Sequence, residues 1–259
     1  MKRMALAVLL GLAGLLAAAS PGSAGGVKLG AHGGLSIPNI RGSDANIFSR
    51  GFTSREGPFF GLGADIALMP RMSLVAELNF TSQGGLRRGL QPITMGLPPE
   101  LPVPPDTLLF ADFRNETILD YIEVSLLDRL TLGGKLRFFF DLGPYAGYLV
   151  RARALTSGTS ALYLDEQGTM PIIVPPATDP LVIDLGADTN VMDSLNRTNF
   201  GLAGGAGIAY PLGAIDLTLE ARFQLGLTTL QKDVALSGRT QTGAVLISLG
   251  VLVPLARHR

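Results

Sequence analysis

Few side chains in this sequence are suited to chemistry, and His32 is the first to consider. It lies in the segment VKLGAHGGLSI (27–37), and Ser36 follows it four residues later. A histidine can act as the general base for a serine nucleophile, so this pair could serve the hydrolysis of a lipid. No third member of a triad is evident. The alternative is a histidine inside a barrel, hydrogen-bonded to a carboxylate.

Two further groups of residues are of types that could bind a ligand, but a role without a ligand explains each of them more simply. The glycines of FGLAGGAGIAY (200–210) precede no helix, which excludes a phosphate-binding loop. The segment 153–198 is acidic but lacks the spacing of a calcium-binding loop, so a solvated loop is the simpler interpretation. We therefore expect neither a metal nor a cofactor. The acidic residues of this segment are Asp165, Glu166, Asp179, Asp184, Asp188 and Asp193.

The stretch IDLTLEARFQLGL (215–227) alternates strictly between apolar and polar side chains. A period of two predicts a β-strand with one apolar and one polar face. A soluble sandwich would turn the leucines toward a core and Glu220 and Arg222 toward water. A membrane barrel would instead expose the leucines to lipid and enclose the charges. The remaining segments of the sequence distinguish between these two arrangements.

Similar alternation recurs along the chain and predicts about eight strands in all. Each is roughly as long as a β-strand needs to be to cross a bilayer, about 9–11 residues when tilted. No later run after the N-terminal region is apolar and long enough to cross as a helix. The predicted strands lie at 27–37, 60–69, 73–81, 120–127, 136–151, 200–210, 215–227 and 244–253.

The connections between the predicted strands alternate between short and long. Tight turns are predicted at MPRM (69–72), near Gly133 and Gly134, and at PLGA (211–214). This asymmetry is typical of an up-and-down outer-membrane barrel with its long loops on one rim. Linkers between small domains are the alternative, but each such domain would hold only two strands, too few for stability. The long loops are predicted at 38–57, 84–115, 153–198 and 229–242.

These features predict an all-β fold, an eight-stranded antiparallel up-and-down transmembrane β-barrel. The polar faces mix Gly and Ala with a sparse and nearly balanced set of charges, which suits a crowded interior better than a solvated surface. An exported soluble barrel of the lipocalin kind, apolar inside and polar outside, is the competing fold. The charges expected in the lumen belong to Lys28, Asp65, Glu77, Glu123, Arg137, Asp141, Arg151, Glu220 and Arg222.

Aromatic residues fall near the ends of the apolar faces, where the two membrane interfaces would lie. We expect them on outward positions, as two girdles around the barrel. The predicted girdles consist of Phe60, Phe80, Tyr148 and Phe200 on the loop side and of Phe138 and Tyr210 on the turn side.

The first 24 residues have the form of an export signal. MKR is a short basic region, MALAVLLGLAGLLAAA is an unbroken apolar region, and PGSA places small residues where a signal peptidase would cut. We expect cleavage after Ala24, which leaves a barrel over residues 25–254 and a short tail at 255–259. An uncleaved membrane anchor is the alternative, because the apolar run is near the lower limit for a spanning helix.

The composition narrows the classes of function. Charged residues make up 16% of the 259 residues, against about 25% in a typical globular domain, which leaves few charges to cover a soluble surface. Acidic and basic residues are equal at 21 each, and no basic patch suggests a nucleic-acid partner. The chain has no cysteine, which excludes thiol catalysis, disulfides and cysteine-ligated metals.

Several predicted strands resemble the landmark strands of the small porin-like outer-membrane β-barrel domain family of Gram-negative bacteria. The resemblance covers about residues 27–253, and its order and spacing are more specific than any single motif. Membership would imply an eight-stranded barrel in the outer membrane, with no catalytic machinery common to the family. The segments that carry the resemblance are LDYIEVSLL (119–127), LGPYAGYLV (142–150), FGLAGGAGIAY (200–210) and LTLEARFQLGLTTL (217–230).

Two departures from the family pattern are visible. Ser125 stands where the family commonly has a proline, which is a minor change. The chain ends in GVLVPLARHR without a terminal aromatic residue, where such barrels usually finish on an aromatic insertion signal. The second departure concerns the route of assembly and leaves the predicted fold unchanged.

We therefore expect a non-enzymatic outer-membrane barrel with a polar, side-chain-filled interior, acting as a structural anchor that presents surface loops for binding. A narrow passive porin for small solutes is the first alternative, and it requires a gap in the lumen charges. A lipid-modifying enzyme that uses His32 is the second. The expected partners are outer-membrane lipids, periplasmic chaperones and the barrel-insertion machinery during assembly, and an unidentified surface ligand, with no nucleic acid among them.

Overall fold

Eight long antiparallel strands form a closed ring in the part of the chain that the computed structural model describes, residues 26–42, 46–93 and 107–255. The predicted signal peptide and residues 256–259 of the predicted tail lie outside the described residues. Among the described residues, no helix is long and apolar enough to cross a membrane. The ring strands are β1 (Val27–Gly42), β2 (Gly57–Met69), β3 (Met72–Arg87), β6 (Arg114–Gly133), β7 (Arg137–Ser157), β11 (Thr198–Leu212), β12 (Ile215–Gly226) and β13 (Thr240–Pro254).

Each ring strand pairs with its neighbours in chain order, and β13 pairs with β1 to close the ring. The β1–β13 register runs from the Lys28 and Pro254 pair to the Gly42 and Thr240 pair without interruption. A closed ring leaves no unpaired strand edge, which is the condition for a sheet to lie in lipid. The predicted fold class, an eight-stranded antiparallel up-and-down barrel, is confirmed.

The alternation along β12 shows which face of the wall is apolar. Leu219 is 45% exposed on the outside, whereas Glu220 is 8% exposed and Arg222 is 3% exposed in the interior. The same pattern holds on the neighbouring strands, where leucines, phenylalanines and valines cover the outer surface. The wall is therefore apolar outside and polar inside, the reverse of a lipocalin-like soluble barrel.

All ring strands except β12 run further than their alternation predicts. β3 continues to Arg87 and β7 to Ser157, while β13 begins at Thr240. Beyond the apolar band both faces of a strand lie in polar surroundings, so its side chains no longer alternate between apolar and polar. The backbone still pairs with its neighbours there. Each of the loops predicted at 38–57, 84–115, 153–198 and 229–242 is consequently shorter in the structure, whereas the tight turns lie where they were expected.

A β-bulge between β6 and β7 corrects the position predicted for Arg151. The register shifts between the Asp120 and Arg151 pair and the Tyr121 and Leu149 pair, so that Val150 is an extra residue on β7. An extra residue reverses the alternation beyond it. The Arg151 side chain is therefore 56% exposed on the outer face, where its Nε donates to Asp120 Oδ2 at 2.5 Å. It does not contribute to the lumen.

Two of the long connections fold together into a small unit that we call the cap, formed by residues 90–93, 109–113 and 158–185. Strand β4 (Leu90–Pro92) pairs with β5 (Phe110–Asp112), and β8 (Thr159–Ala161) pairs with β9 (Val182–Asp184). Backbone hydrogen bonds between Phe110 and Tyr163 join the two pairs. The cap has its own core of Ile93, Leu109, Ala111, Phe113, Leu162, Ile172 and Leu185.

The remaining connections close the loop end of the barrel. Strand β10 (Ala187–Asn190) pairs with the end of β7, and two short helical turns follow at Met192–Ser194 and Val234–Ser237. Leu195 and Leu230, from two different connections, pack onto inward-facing strand residues. We call this apolar cluster the plug, and it consists of Ile40, Leu119, Tyr121, Leu149, Ala152, Leu195 and Leu230.

Candidate functional site

Arg222 lies at the centre of the lumen charges. Its Nη1 and Nη2 donate to the two carboxylate oxygens of Glu77 at 2.5 and 2.9 Å, and its Nε donates to Glu220 Oε1 at 2.6 Å. The inward positions of β12 and β3 bring these three side chains together. Because each buried charge has a hydrogen-bonded partner of opposite sign, the group can replace the solvation it has lost.

Arg129 is the second lumen cation, and it lies beyond the end that alternation predicts for its strand. Its Nε and Nη2 donate to Asp141 at 2.8 and 2.6 Å, and its Nη1 donates to Asp65 at 3.3 Å. Its guanidinium also lies 4.0 Å from the Phe139 ring centroid and 3.8 Å from Glu220, which links it to Arg222. Alternation could have identified it, because Arg129 and Glu123 are an even number of residues apart on β6 and therefore face the same side. The predicted strand ends at Leu127, before Arg129 is reached.

Three other predicted lumen charges, Lys28, Arg137 and Glu123, lie nearer the two ends, and Asp216 is a buried carboxylate that the predicted set does not contain. Asp216, at the turn end, accepts a hydrogen bond from Lys28 Nζ at 2.7 Å and forms an ion pair with Arg137. Glu123, toward the loop end, is fully buried and accepts from Thr81 Oγ1 at 3.0 Å. Its other donors are the side-chain amides of Gln83 and Gln224, at 2.7 and 2.8 Å.

The lumen has little space between these groups. A cavity of about 30 Å³ remains in the turn-side half, lined by His32, Asp65, Glu77, Arg129 and Glu220 among others. This volume suits about a single water molecule. Above it the Glu77–Arg222 pair and the plug occupy the axis of the barrel. The interior is therefore a packed polar core covered by an apolar layer.

The structure does not bring His32 and Ser36 together. Both face inward on β1, but four residues along one strand separate them by roughly 13 Å. The imidazole Nε2 of His32 lies 3.0 Å from Asn79 Oδ1, and its ring packs against Phe59 at a centroid distance of 5.1 Å. His32 thus belongs to the lumen packing. In the described part of the chain, no group of three or more His, Cys, Asp or Glu side chains could hold a metal ion.

The predicted girdle residues lie on the outer face of the barrel. Phe60 and Phe80 stack on each other with ring centroids 5.0 Å apart. Tyr148 and Phe200 lie on the neighbouring strands β7 and β11, and Phe138 and Tyr210 lie close to the tight turns. Lys135 extends over the Tyr210 ring at 5.5 Å from Nζ to centroid.

The cap presents a sheet face to the surroundings on the side away from its core. Leu162 and Ile172 point into the core, so their chain neighbours Tyr163, Pro171 and Ile173 point outward. Val182 lies next to Ala161 in the adjacent pair of strands. Ile173 is 46% exposed and Val182 is 56% exposed.

The acidic residues predicted to lie in a solvated loop belong mostly to the cap and its margin. Glu166 pairs with Arg50 and Asp188 with Arg153, both on the surface. The Asp165 carboxylate accepts hydrogen bonds from the backbone N–H groups of Thr169 and Met170. Desolvation acts to raise the pKa of Asp165, but these hydrogen bonds outweigh it and hold that pKa below its ordinary value.

Several solved structures of outer-membrane proteins are similar to this chain. Neisserial surface protein A shares 13% identity at a TM-score of 0.37, covering 90% of this chain and 100% of its own. Ail, the attachment invasion locus protein of Yersinia pestis, shares 11% identity at 0.36, with coverage of 89% and 99%. The outer membrane protease OmpT from Escherichia coli shares 11% at 0.34, with coverage of 89% and 97%.

The sequence comparisons give a family and no individual relative. No curated protein matches the chain. The family model described as "Outer membrane protein beta-barrel domain" matches residues 18–232, which is most of the chain. The protein therefore belongs to the outer membrane protein beta-barrel domain family and is a protein of the bacterial outer membrane.

Proposed function

We propose that this outer-membrane barrel is a rigid anchor that presents the folded cap at the cell surface for binding. The observation that carries the proposal is the combination of a filled lumen with a cap that has its own hydrophobic core. An unstructured loop would not require buried residues such as Leu109 and Leu162, both 0% exposed. A unit with its own core keeps a fixed surface, which specific binding requires.

The difference in length between the connections at the two rims supports an orientation with the cap outside the cell. Barrels of this kind carry short turns on the periplasmic side and longer loops outside. Here β2 and β3 are joined by two residues and β11 and β12 by two, whereas the cap and the plug lie at the opposite end. The cap would then stand above the outer leaflet, and the turns at Lys135 and Gly213 would face the periplasm.

The interior supports anchoring rather than transport. Eight strands enclose a space that side chains just fill, and in this chain the ion pairs Glu77–Arg222 and Arg129–Glu220 cross it. Outer-membrane lipids around the apolar band, together with the periplasmic chaperones and insertion machinery that assemble barrels, are the further partners of this proposal. The unidentified ligand at the cell surface is the partner on which the proposed binding function depends.

Single-cysteine labelling tests the display of the cap, because the natural chain has no cysteine. Asp179→Cys in the cap should react with a membrane-impermeant maleimide on intact cells. Lys135→Cys, in the turn between β6 and β7, is the matched control and should react only after the outer membrane is permeabilised. Labelling of Lys135→Cys but not Asp179→Cys on intact cells would reverse the orientation and remove the proposed function.

A further inference from the structure

The outer sheet face of the cap is an apolar surface whose centre, Ile173 and Val182, no described residue covers. We call it the docking face and define it by Ala161, Tyr163, Pro171, Ile173 and Val182. These residues come from three neighbouring segments joined by backbone contacts, with Val182 opposite Ala161 and Tyr163 opposite Pro171. Their inward neighbours fill the cap core, so the docking face cannot turn inward without dismantling that core.

Two apolar side chains of the docking face are strongly exposed, and Ala161, Tyr163 and Pro171 beside them are partly exposed. Val182 and Ile173 have about half of their surface accessible, and Met170 and Leu164 extend the apolar area at the adjoining hairpin. Exposed apolar residues on the lipid-facing wall have lipid to cover them. The cap stands beyond the apolar band, where no lipid is available, so contiguous apolar surface there points to a protein partner.

Among the described residues, the charge around the docking face that has no partner of opposite sign is negative. Residues 154–196 contain no lysine or arginine. Glu166, Asp188 and Asp193 have arginine partners outside this segment. Within the described residues, Asp165, Asp179 and Asp184 have no cation as a partner. An acidic rim around an apolar centre complements a partner with basic side chains around apolar ones.

We propose that the docking face binds a cationic amphipathic segment of another protein, with its apolar side chains against Ile173 and Val182 and its lysines or arginines beside Asp179 and Asp184. This inference rests on the proposed function and names the partner class for the surface that the cap displays. The apolar contact supplies the affinity, and the acidic rim supplies attraction and selects against anionic partners.

The test uses the full mature protein in nanodiscs of zwitterionic lipid, with empty nanodiscs as the reference surface. The probe is a designed helical peptide with one leucine face and lysines elsewhere. Two control peptides are a scrambled isomer without a leucine face and a version with glutamates in place of the lysines. Surface plasmon resonance should show binding of the first peptide in excess of both controls, and this binding should weaken as salt is raised.

Variants of the protein assign the binding to the docking face. Ile173→Ser together with Val182→Ser should weaken binding about tenfold, as the loss of a central apolar contact does. Asp179→Asn together with Asp184→Asn should weaken it several-fold and reduce its salt dependence. Val234→Ser, an exposed valine in the connection between β12 and β13, is the matched control and should leave binding unchanged.

The outcomes of this test can overturn binding at the docking face without overturning the proposed display of the cap. Equal binding of all three peptides, or unchanged binding by the Ile173→Ser and Val182→Ser variant, would overturn the docking face while the labelling experiment still supports display. Stronger binding of the glutamate peptide would overturn the charge complementarity. Cap folding in each variant is checked by hydrogen exchange at Ile93 and Leu162, whose backbone N–H groups donate to Leu109 O and Leu181 O, so that a loss of binding is not mistaken for an unfolded cap.

Discussion

Asp128 is the residue whose position the barrel explains least. It faces outward on β6 between Leu126 and Leu130, and its cross-strand neighbours are Leu74 and Leu142. It lies four residues from Leu132 at the turn end, well inside the apolar band. Leu142 is the most exposed of these leucines at 66%, so the carboxylate is surrounded by surface that faces lipid.

Replacing Asp128 by leucine should therefore stabilise the folded barrel in a bilayer. A charge on the lipid face costs free energy that depends on depth, and for a carboxylate we expect a gain of about 1–2 kcal/mol on its removal. The free energy of unfolding by urea from liposomes measures it. Asp65→Leu is the control: it removes a lumen carboxylate that pairs with Arg129 and should destabilise the same protein. A lower unfolding free energy for Asp128→Leu would mean that Asp128 has a partner in the membrane.

The lumen residues show what alternation can and cannot predict. Glu77, Glu220 and Arg222 lie within regular alternation, and the parity of the strand determines the side on which they are found. Arg129 required only a correct strand end. Arg151 could not be placed in this way, because the bulge at Val150 depends on the pairing of β6 with β7 and leaves no signal in the period of either strand.

At the scale of elements, the eight ring strands were predictable because each carries its own pattern. An outward apolar and inward polar side chain recur every two residues, and this local signal survives without knowledge of the partners. The cap carries no such signal. Its strands are three residues long, and its core joins Ile93, Leu109, Leu162 and Ile172 from two separate connections. Only the tertiary contacts define it.

The separate cores predict that the cap and the barrel lose structure independently. Leu162 is 0% exposed in the cap core, and Leu162→Ala should cost the cap about 2–5 kcal/mol. The barrel should keep its heat-modifiable migration on gels, because none of its lumen contacts involves this residue. Limited proteolysis should cut the cap of Leu162→Ala and spare that of Val182→Ala, which alters an exposed side chain. Joint loss of cap and barrel would show that they fold as one cooperative unit.

The described barrel encloses most of its charged groups and exposes most of its large apolar side chains, and the plug and the cap core are the main apolar clusters away from lipid. The band of lipid-facing side chains needs no buried core, since lipid fills the space around it, so specificity of the fold depends on the lumen. There the arginines and carboxylates form a connected set through Glu220, which contacts both Arg222 and Arg129. Such a network fixes the register of strands on opposite sides of the barrel, because Glu77 on β3 and Arg222 on β12 meet across it.

Two closures in series predict that the barrel conducts no ions. The Glu77–Arg222 pair blocks the middle of the lumen, and the plug residues Leu195 and Leu230 seal the loop end. Purified protein in planar bilayers should show no stepwise currents. The double variant Glu77→Ala and Arg222→Ala removes the first closure and leaves Glu220 with Arg129 as its remaining ion-pair partner, and the plug should keep the barrel closed. Stepwise currents through the double variant alone would show that the ion pairs, and not the plug, are the barrier to ions. Stepwise currents through the unmodified protein would contradict the filled anchor and support a narrow pore.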